Sequence, residues 1–79
     1  MRILFFSQVR DAAGRAELEW EGCEPMTLEA FWDRLLQEFP ALDRHRAAVR
    51  TARNGAFTRT GEILEPGDEI ALIPPVSGG

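Results

Sequence analysis

The stretch PMTLEAFWDRLLQEFP, residues 25–40, contains the clearest helix signal in the 79-residue chain. Thr27 can accept hydrogen bonds from the free backbone N–H groups of a first helical turn, so it is the predicted N-cap, and Glu29 suits the positive end of the helix dipole. Pro40 predicts the end of the helix. Apolar residues recur at three- and four-residue steps, as on the buried face of a helix: Leu28, Phe31, Trp32, Leu35, Leu36 and Phe39. This stripe is expected to pack against a sheet.

Two strands are predicted before this helix. Residues 2–9 are rich in Ile, Leu, Phe and Val, which predicts a central strand that is buried at least partly on both faces. Residues 16–21 alternate between apolar and acidic side chains, and this period of two predicts a half-buried strand. The connection over residues 10–15 is interpreted as a hairpin.

Two further strands are predicted after the helix. A short helical turn around residues 42–48 is expected to lead into a third strand over residues 49–54, which the turn signal Asn54-Gly55 closes. The last strand is predicted over residues 69–73, after the turn sequence EPGD at residues 65–68 and before two prolines.

The order of these elements predicts the fold class. When a hairpin is followed by a helix that crosses one sheet face, the compact arrangement is an α+β roll whose first and last strands are central and parallel. This is the ubiquitin-like β-grasp roll, a mixed sheet with one main helix packed on one face. We therefore predict a β-grasp domain over residues 1–73 and an extended C-terminal tail over residues 74–79.

Size and composition favour a component of a larger system over a complete enzyme. A domain of this length buries only about 60 to 65% of the surface of its unfolded chain, which leaves little room for a cleft of at least about 300 Å³. The net charge of −4 argues against nucleic acid and anionic lipid as partners, and no apolar stretch approaches the roughly 20 residues of a membrane span. Because Cys23 is the only cysteine, we expect no disulfide, no metal site and a reducing, cytoplasmic location.

The end of the chain, IPPVSGG at residues 73–79, has a sequence suited to chemistry at its terminus. The two prolines lack a backbone donor and hold the following residues extended, so residues 74–79 could reach roughly 20 Å at about 3.3 Å per residue. Gly78 and Gly79 have no Cβ, which allows the end to enter a narrow channel. An unobstructed Gly79 carboxylate is what an enzyme needs in order to form an acyl-adenylate. The alternative is a glycine-rich frayed end.

The chain resembles a known family, the small, sulfur-carrying subunit of molybdopterin synthase. LFFSQVRD at residues 4–11 is similar to the opening strand of that family, Asn54 to the asparagine of its third strand, and PGDEIALIPPVSGG at residues 66–79 to its end. The chain departs from the family pattern at Arg53, where an apolar residue is common, and at Ile73, where an aromatic residue is common.

The resemblance implies a reaction at the tail. An activating enzyme would use ATP to adenylate Gly79, and sulfur would then replace the adenylate to give a thiocarboxylate. The tail would enter the large synthase subunit, within a heterotetramer, and donate sulfur to cyclic pyranopterin monophosphate. The residues expected to thread into that subunit are Pro74, Pro75, Val76, Ser77 and Gly78. The catalytic side chains would belong to the large subunit, and this chain would bind no cofactor.

A docking patch is predicted on the sheet face that the helix leaves open. Its candidate residues are Phe6, Phe57 and Ile73, and the resemblance implies partner contacts in this region, although the same residues could fill the core. His45 is expected to be a solvated surface residue and Cys23 an inert thiol. Two other functions stay open, namely a sulfur carrier for thiamine or cysteine synthesis and a ubiquitin-like protein modifier or binding module.

Overall fold

The computed structural model describes residues 1–75 of the chain. The helices are α1 (Ser7–Ala13), α2 (Leu28–Glu38) and a 3-10 helix (Pro40–His45). The strands are β1 (Arg2–Phe5), β2 (Glu17–Glu19), β3 (Met26–Thr27), β4 (Arg50–Arg53), β5 (Ala56–Phe57), β6 (Ile63–Leu64) and β7 (Glu69–Ile73). No helix within these 75 residues is long and apolar enough to span a bilayer.

The main sheet has five strands in the order β2-β1-β7-β4-β5. Its central pair is parallel, with Arg2 opposite Glu69 and Phe5 opposite Leu72. The pairs β1–β2, β4–β7 and β4–β5 are antiparallel, so the sheet is mixed. The predicted α+β roll with central, parallel first and last strands is therefore confirmed. Strands β3 and β6 form a separate two-stranded sheet.

Helix α2 covers one face of the main sheet. The Thr27 hydroxyl accepts a hydrogen bond from the backbone N–H of Ala30 at 3.1 Å, which confirms the predicted N-cap. The helix ends at Glu38, before Pro40 begins the 3-10 helix. The apolar stripe of α2 and the inward-facing residues of β1 and β7 form the core, which includes Ile3, Phe5, Phe31, Trp32, Leu35, Ile70 and Leu72.

The predicted first strand over residues 2–9 is too long. Strand β1 ends at Phe5, and the connection to β2 contains helix α1, which replaces the expected hairpin loop. Ser7 has a left-handed φ of 48°, which turns the chain out of the strand direction, and Val9 returns to the core as a fully buried residue. Gly14, with φ of 77°, ends the helix by donating its N–H to the Arg10 carbonyl.

The third predicted strand is confirmed as β4, with slightly narrower bounds than residues 49–54. The turn signal Asn54-Gly55 connects β4 to β5, and its two residues have φ values of 51° and 89°, as a two-residue hairpin turn of type I′ requires. The short strands β3, β5 and β6 were not predicted, because two residues carry no periodicity of their own.

Candidate functional site

The root of the C-terminal tail lies in the middle of the main sheet. Strand β7 is paired on both sides, by β1 and by β4, and Ile73 opposite Arg50 is the last pair of the β4–β7 register. Pro74 is buried and Pro75 is exposed. Since proline has no backbone N–H, these two residues end the ladder at this point. The tail root is therefore the end of the central strand of the sheet.

Four of the residues predicted for the tail, Val76, Ser77, Gly78 and Gly79, lie outside the described residues. Their roles in threading and in carrying sulfur stay predictions, as do those of Pro74 and Pro75.

A shallow groove crosses the sheet face opposite α2. One row of paired residues forms its floor and walls: Leu4 lies opposite Ala71, Ala71 opposite Ala52, and Ala52 opposite Phe57. The two small alanines in the middle keep the floor low, while the larger side chains at the ends rise above it. We call this feature of about 260 Å³ the open-face groove; it is lined by Leu4, Phe6, Ala52, Gly55, Phe57, Glu69, Ala71 and Ile73.

The three predicted docking residues lie together along this groove. Phe6 is 44% exposed and Phe57 is 51% exposed, so neither ring fills the core. Ile73 is half-buried at the root of the tail. Exposed aromatic rings next to an extended chain end are typical of a protein interface. Whether a partner binds there stays a prediction.

A polar cluster holds the β4–β5 turn against the start of β7. The buried Asp68 carboxylate accepts hydrogen bonds from Arg53 Nε at 2.6 Å, from Asn54 Nδ2 at 2.9 Å and from the Glu65 backbone N–H at 2.7 Å. The Asn54 side-chain oxygen accepts from the Glu69 backbone N–H at 2.9 Å. This cluster fixes one end of the open-face groove, and the sequence reading missed it.

The cluster gives Arg53 and Asn54 structural roles. Arg53 also donates to a Glu62 carboxylate oxygen at 3.2 Å. The arginine that replaces the family's usual apolar residue at this position therefore forms ion pairs within the domain. Burial acts to raise the pKa of Asp68, but the hydrogen bonds from Glu65, Asn54 and Arg53 outweigh it and hold that pKa below its ordinary value.

We expect Asp68→Asn to destabilise the domain and to remove an acid-sensitive part of its stability. Because the pKa of Asp68 is lowered by folding, its contribution is fully present above the ordinary aspartate pKa of about 4 and is lost as the pH falls below that range. Urea unfolding at neutral and acidic pH measures this. Asp33→Asn is the matched control, because the Asp33 side chain is 71% exposed. If wild type and Asp68→Asn lost the same amount of stability on acidification, Asp68 would not be the source of the acid-sensitive stability.

Neither Cys23 nor His45 lines the open-face groove. Cys23 is half-buried, with its sulfur 3.7 Å from the Trp20 carbonyl oxygen. His45 is partly exposed at the end of the 3-10 helix. Within residues 1–75, no group of three His, Cys, Asp or Glu residues is arranged to hold a metal ion.

The mixed sheet with a parallel central pair, the helix on one face and the last strand at the sheet centre define a ubiquitin-like β-grasp protein. The chain belongs to the ThiS family, whose model matches residues 3–79.

Comparisons with individual proteins agree with this family assignment. The chain is 33% identical to the molybdopterin synthase sulfur carrier subunit of Arabidopsis thaliana, over all of this chain and 82% of that protein. The crystal structure of small archaeal modifier protein 1 from Haloferax volcanii matches with a TM-score of 0.84 and 31% identity, over 100% of this chain and 98% of that one. A Helicobacter pylori complex of subunits 1 and 2 of molybdopterin-converting factor matches with a TM-score of 0.67 and 23% identity, over 99% and 96%.

Proposed function

We propose that this protein is the sulfur carrier subunit of a molybdopterin synthase and acts in the cytoplasm. In this proposal the Gly79 carboxylate is adenylated, is converted to a thiocarboxylate and donates its sulfur to cyclic pyranopterin monophosphate. The observation that carries the proposal is the position of the tail root, which leaves the centre of the sheet beside a groove with two exposed aromatic rings. The choice of pathway is supported by the relatives that are named as molybdopterin synthase sulfur carrier subunits.

The terminal carboxylate needs activation because its oxygen is a poor leaving group. Attack of a Gly79 carboxylate oxygen on the α-phosphate of ATP would form an acyl-adenylate and release pyrophosphate. Attack of sulfide sulfur on the acyl carbon would then release AMP and leave the thiocarboxylate. The activating enzyme would supply the ATP site. The open-face groove beside the tail root has a volume of about 260 Å³, below the usual size of a small-molecule pocket, about 300 Å³ or more. A larger depression of about 460 Å³ lies at the start of α2, where Thr27, Trp32 and Gly61 line it, and none of its lining residues lines the groove.

The large subunit would complete the catalyst. The body would dock through Phe6, Phe57 and Ile73 while the tail, beginning at Pro74, enters the active site of the large subunit. This chain would contribute the sulfur, and the large subunit would contribute the catalytic side chains, with two copies of each subunit in the assembly. The Helicobacter pylori complex of two subunits supports a partner of this kind.

Intact mass spectrometry tests the chemistry. After incubation with the cognate activating enzyme, ATP and sulfide, we expect the mass change that corresponds to replacement of one oxygen atom by one sulfur atom. An unchanged mass with an active enzyme would overturn the proposal. Conjugates with lysine side chains of other proteins would favour a protein modifier instead; the chain itself has nine arginines and no lysine, so its own side chains offer no amine. Sulfur transfer only to a thiamine or cysteine precursor would favour a carrier for those pathways.

We expect Phe57→Glu to weaken binding to the large subunit at least tenfold, which is about 1.4 kcal/mol. The change places a charge on the wall of the open-face groove, and it should cost little stability because Phe57 is 51% exposed. Isothermal titration calorimetry and thermal unfolding measure the two effects. The matched control is Ile63→Glu, since Ile63 is 44% exposed on β6 and does not line the groove. A folded Phe57→Glu variant that binds normally would move the docking face elsewhere.

A further inference from the structure

A second depression lies beside the open-face groove, along the β4–β5 hairpin. Its volume is about 230 Å³, and Phe57 is the one described residue that lines both features. The polar residues that line it are Arg50, Arg59, Thr51, Thr58 and Thr60. We call it the arginine depression. Among the residues that line it within the described part of the chain, none is acidic, although the chain has a net charge of −4.

Arg50 is held in place by an aromatic ring. Its guanidinium carbon lies 3.8 Å from the centroid of the Phe57 ring, a distance at which the cation and the ring attract each other. Arg50 also lies opposite Ile73, the last residue of β7 before the tail. The guanidinium therefore lies against the Phe57 wall of the groove, and stacking on the ring leaves its N–H edge available for a planar anion.

The positive charge of Arg50 is not neutralised within residues 1–75. The arginine side chains that form ion pairs there are those of Arg2, Arg46 and Arg53. The nearby carboxylate of Glu62 already has two hydrogen-bond partners. It accepts from the Arg59 backbone N–H at 2.9 Å and from the Arg53 guanidinium at 3.2 Å.

The acidic residues at the other edge of the sheet are already paired. On strand β2, Glu17 lies 2.7 Å from the Arg2 guanidinium and Glu19 lies 3.0 Å from the N-terminal ammonium group. The charges at that edge are therefore balanced within the chain, in contrast to that of Arg50.

We infer that an acidic segment of the protein that receives the tail binds in the arginine depression. This inference rests on the proposed function, because it requires a partner that covers the open-face groove. Such a partner would come within reach of Arg50, because Arg50 stacks on Phe57 at the wall of the groove and lies opposite Ile73 at the tail root. The guanidinium fork of an arginine matches a carboxylate in geometry. The depression is shallow and lies below the size of a small-molecule pocket, about 300 Å³ or more, which favours a side chain on a docked surface over a free metabolite.

This contact would orient the β-grasp body relative to the partner. Charges at the edge of an interface mainly change the association rate and the choice of partner, and contribute less to the lifetime of the complex. An unbalanced positive charge beside the tail root would align the body so that the tail points into the channel of the partner. Tail entry would then become an intramolecular step.

The test is the association rate with the cognate large synthase subunit, measured by stopped flow over a range of salt concentrations. We expect Arg50→Glu to lower this rate at least about tenfold at low salt, with the difference shrinking as salt screens the charges. Arg59→Glu should act in the same direction without removing the stacking on Phe57. Arg44→Glu is the control, because it makes the same change in charge at an exposed residue of the 3-10 helix that does not line the depression.

Each outcome decides between the alternatives. If the wild type does not bind the large subunit, the proposed function is wrong and this inference is overturned with it. If the wild type binds and both Arg50→Glu and Arg59→Glu associate at the wild-type rate in low salt, only this inference is overturned. A titration with inorganic phosphate at millimolar concentration tests whether the depression binds a free anion. The amide resonances of Thr58 and Thr60 report the binding. Saturable phosphate binding, together with unchanged partner association in the variants, would assign the depression to a small anion instead.

Discussion

Deleting Gly79 is expected to abolish thiocarboxylate formation and to leave the β-grasp body folded. The deletion moves the terminal carboxylate back by one residue, about 3.3 Å, and a misplacement of about 1 Å is already enough to reduce a reaction rate by about a hundredfold. The fold should persist because the last buried residue of the described part of the chain is Pro74, five residues before Gly79. Intact mass after incubation with the activating enzyme, ATP and sulfide measures the first effect, and thermal unfolding measures the second.

Extending the chain by one residue after Gly79 is the companion experiment. The added residue removes the reactive carboxylate from its position while the Gly-Gly sequence is kept, so it separates the role of the terminus from that of the glycines. Arg44→Ala is the control, because Arg44 is exposed on the 3-10 helix and the change leaves the whole tail unaltered. Normal sulfur transfer by the shortened or the extended chain would rule out a carrier mechanism at Gly79.

The parts of the fold that could be predicted are those with a strong local signal. The three- and four-residue spacing of apolar residues defined α2, and Thr27 and Pro40 marked its ends. Strand β7 was bounded by the turn at residues 65–68 and by the two prolines. Once α2, β1 and β7 were assigned, the β-grasp arrangement followed from how a single helix can cross a sheet.

The connection between β1 and β2 could not be predicted from the apolar run alone. A short continuous apolar segment fits a buried strand and a buried helix equally well, so residues 7–9 were assigned to the strand. A signal was nevertheless present, because Val9, Ala12 and Ala13 have helical spacing and Gly14 follows them as a C-terminal cap. All three pack on or in the core.

The candidate site depended on pairing between residues distant in sequence. Phe57 was predicted as a docking residue on the open sheet face, but the groove floor at Ala52 and Ala71 is set by the register of β4 with β7. The role of Asp68 also depends on a contact between distant residues, because its ion-pair partner Arg53 lies 15 positions away in the sequence. The contacts that give the arginines defined positions also join residues that are distant in sequence or in different elements, as in the ion pair of Arg53 with Asp68 and the stacking of Arg50 on Phe57.

We expect Leu35→Ala to destabilise the domain by about 2 to 5 kcal/mol, because it removes buried methyl groups and leaves a cavity. Leu35 lies on the inner face of α2, is fully buried and belongs to the same cluster as Phe31 and Ile70. Since a native domain is stable by only about 5 to 15 kcal/mol, this loss is a large share of the total. Urea unfolding measures it, and Leu36→Ala is the matched control, because Leu36 is the next residue of the same helix but only half-buried, so its loss should be smaller. A change below about 0.5 kcal/mol, the range of ordinary surface substitutions, would mean that α2 does not pack on the sheet through Leu35.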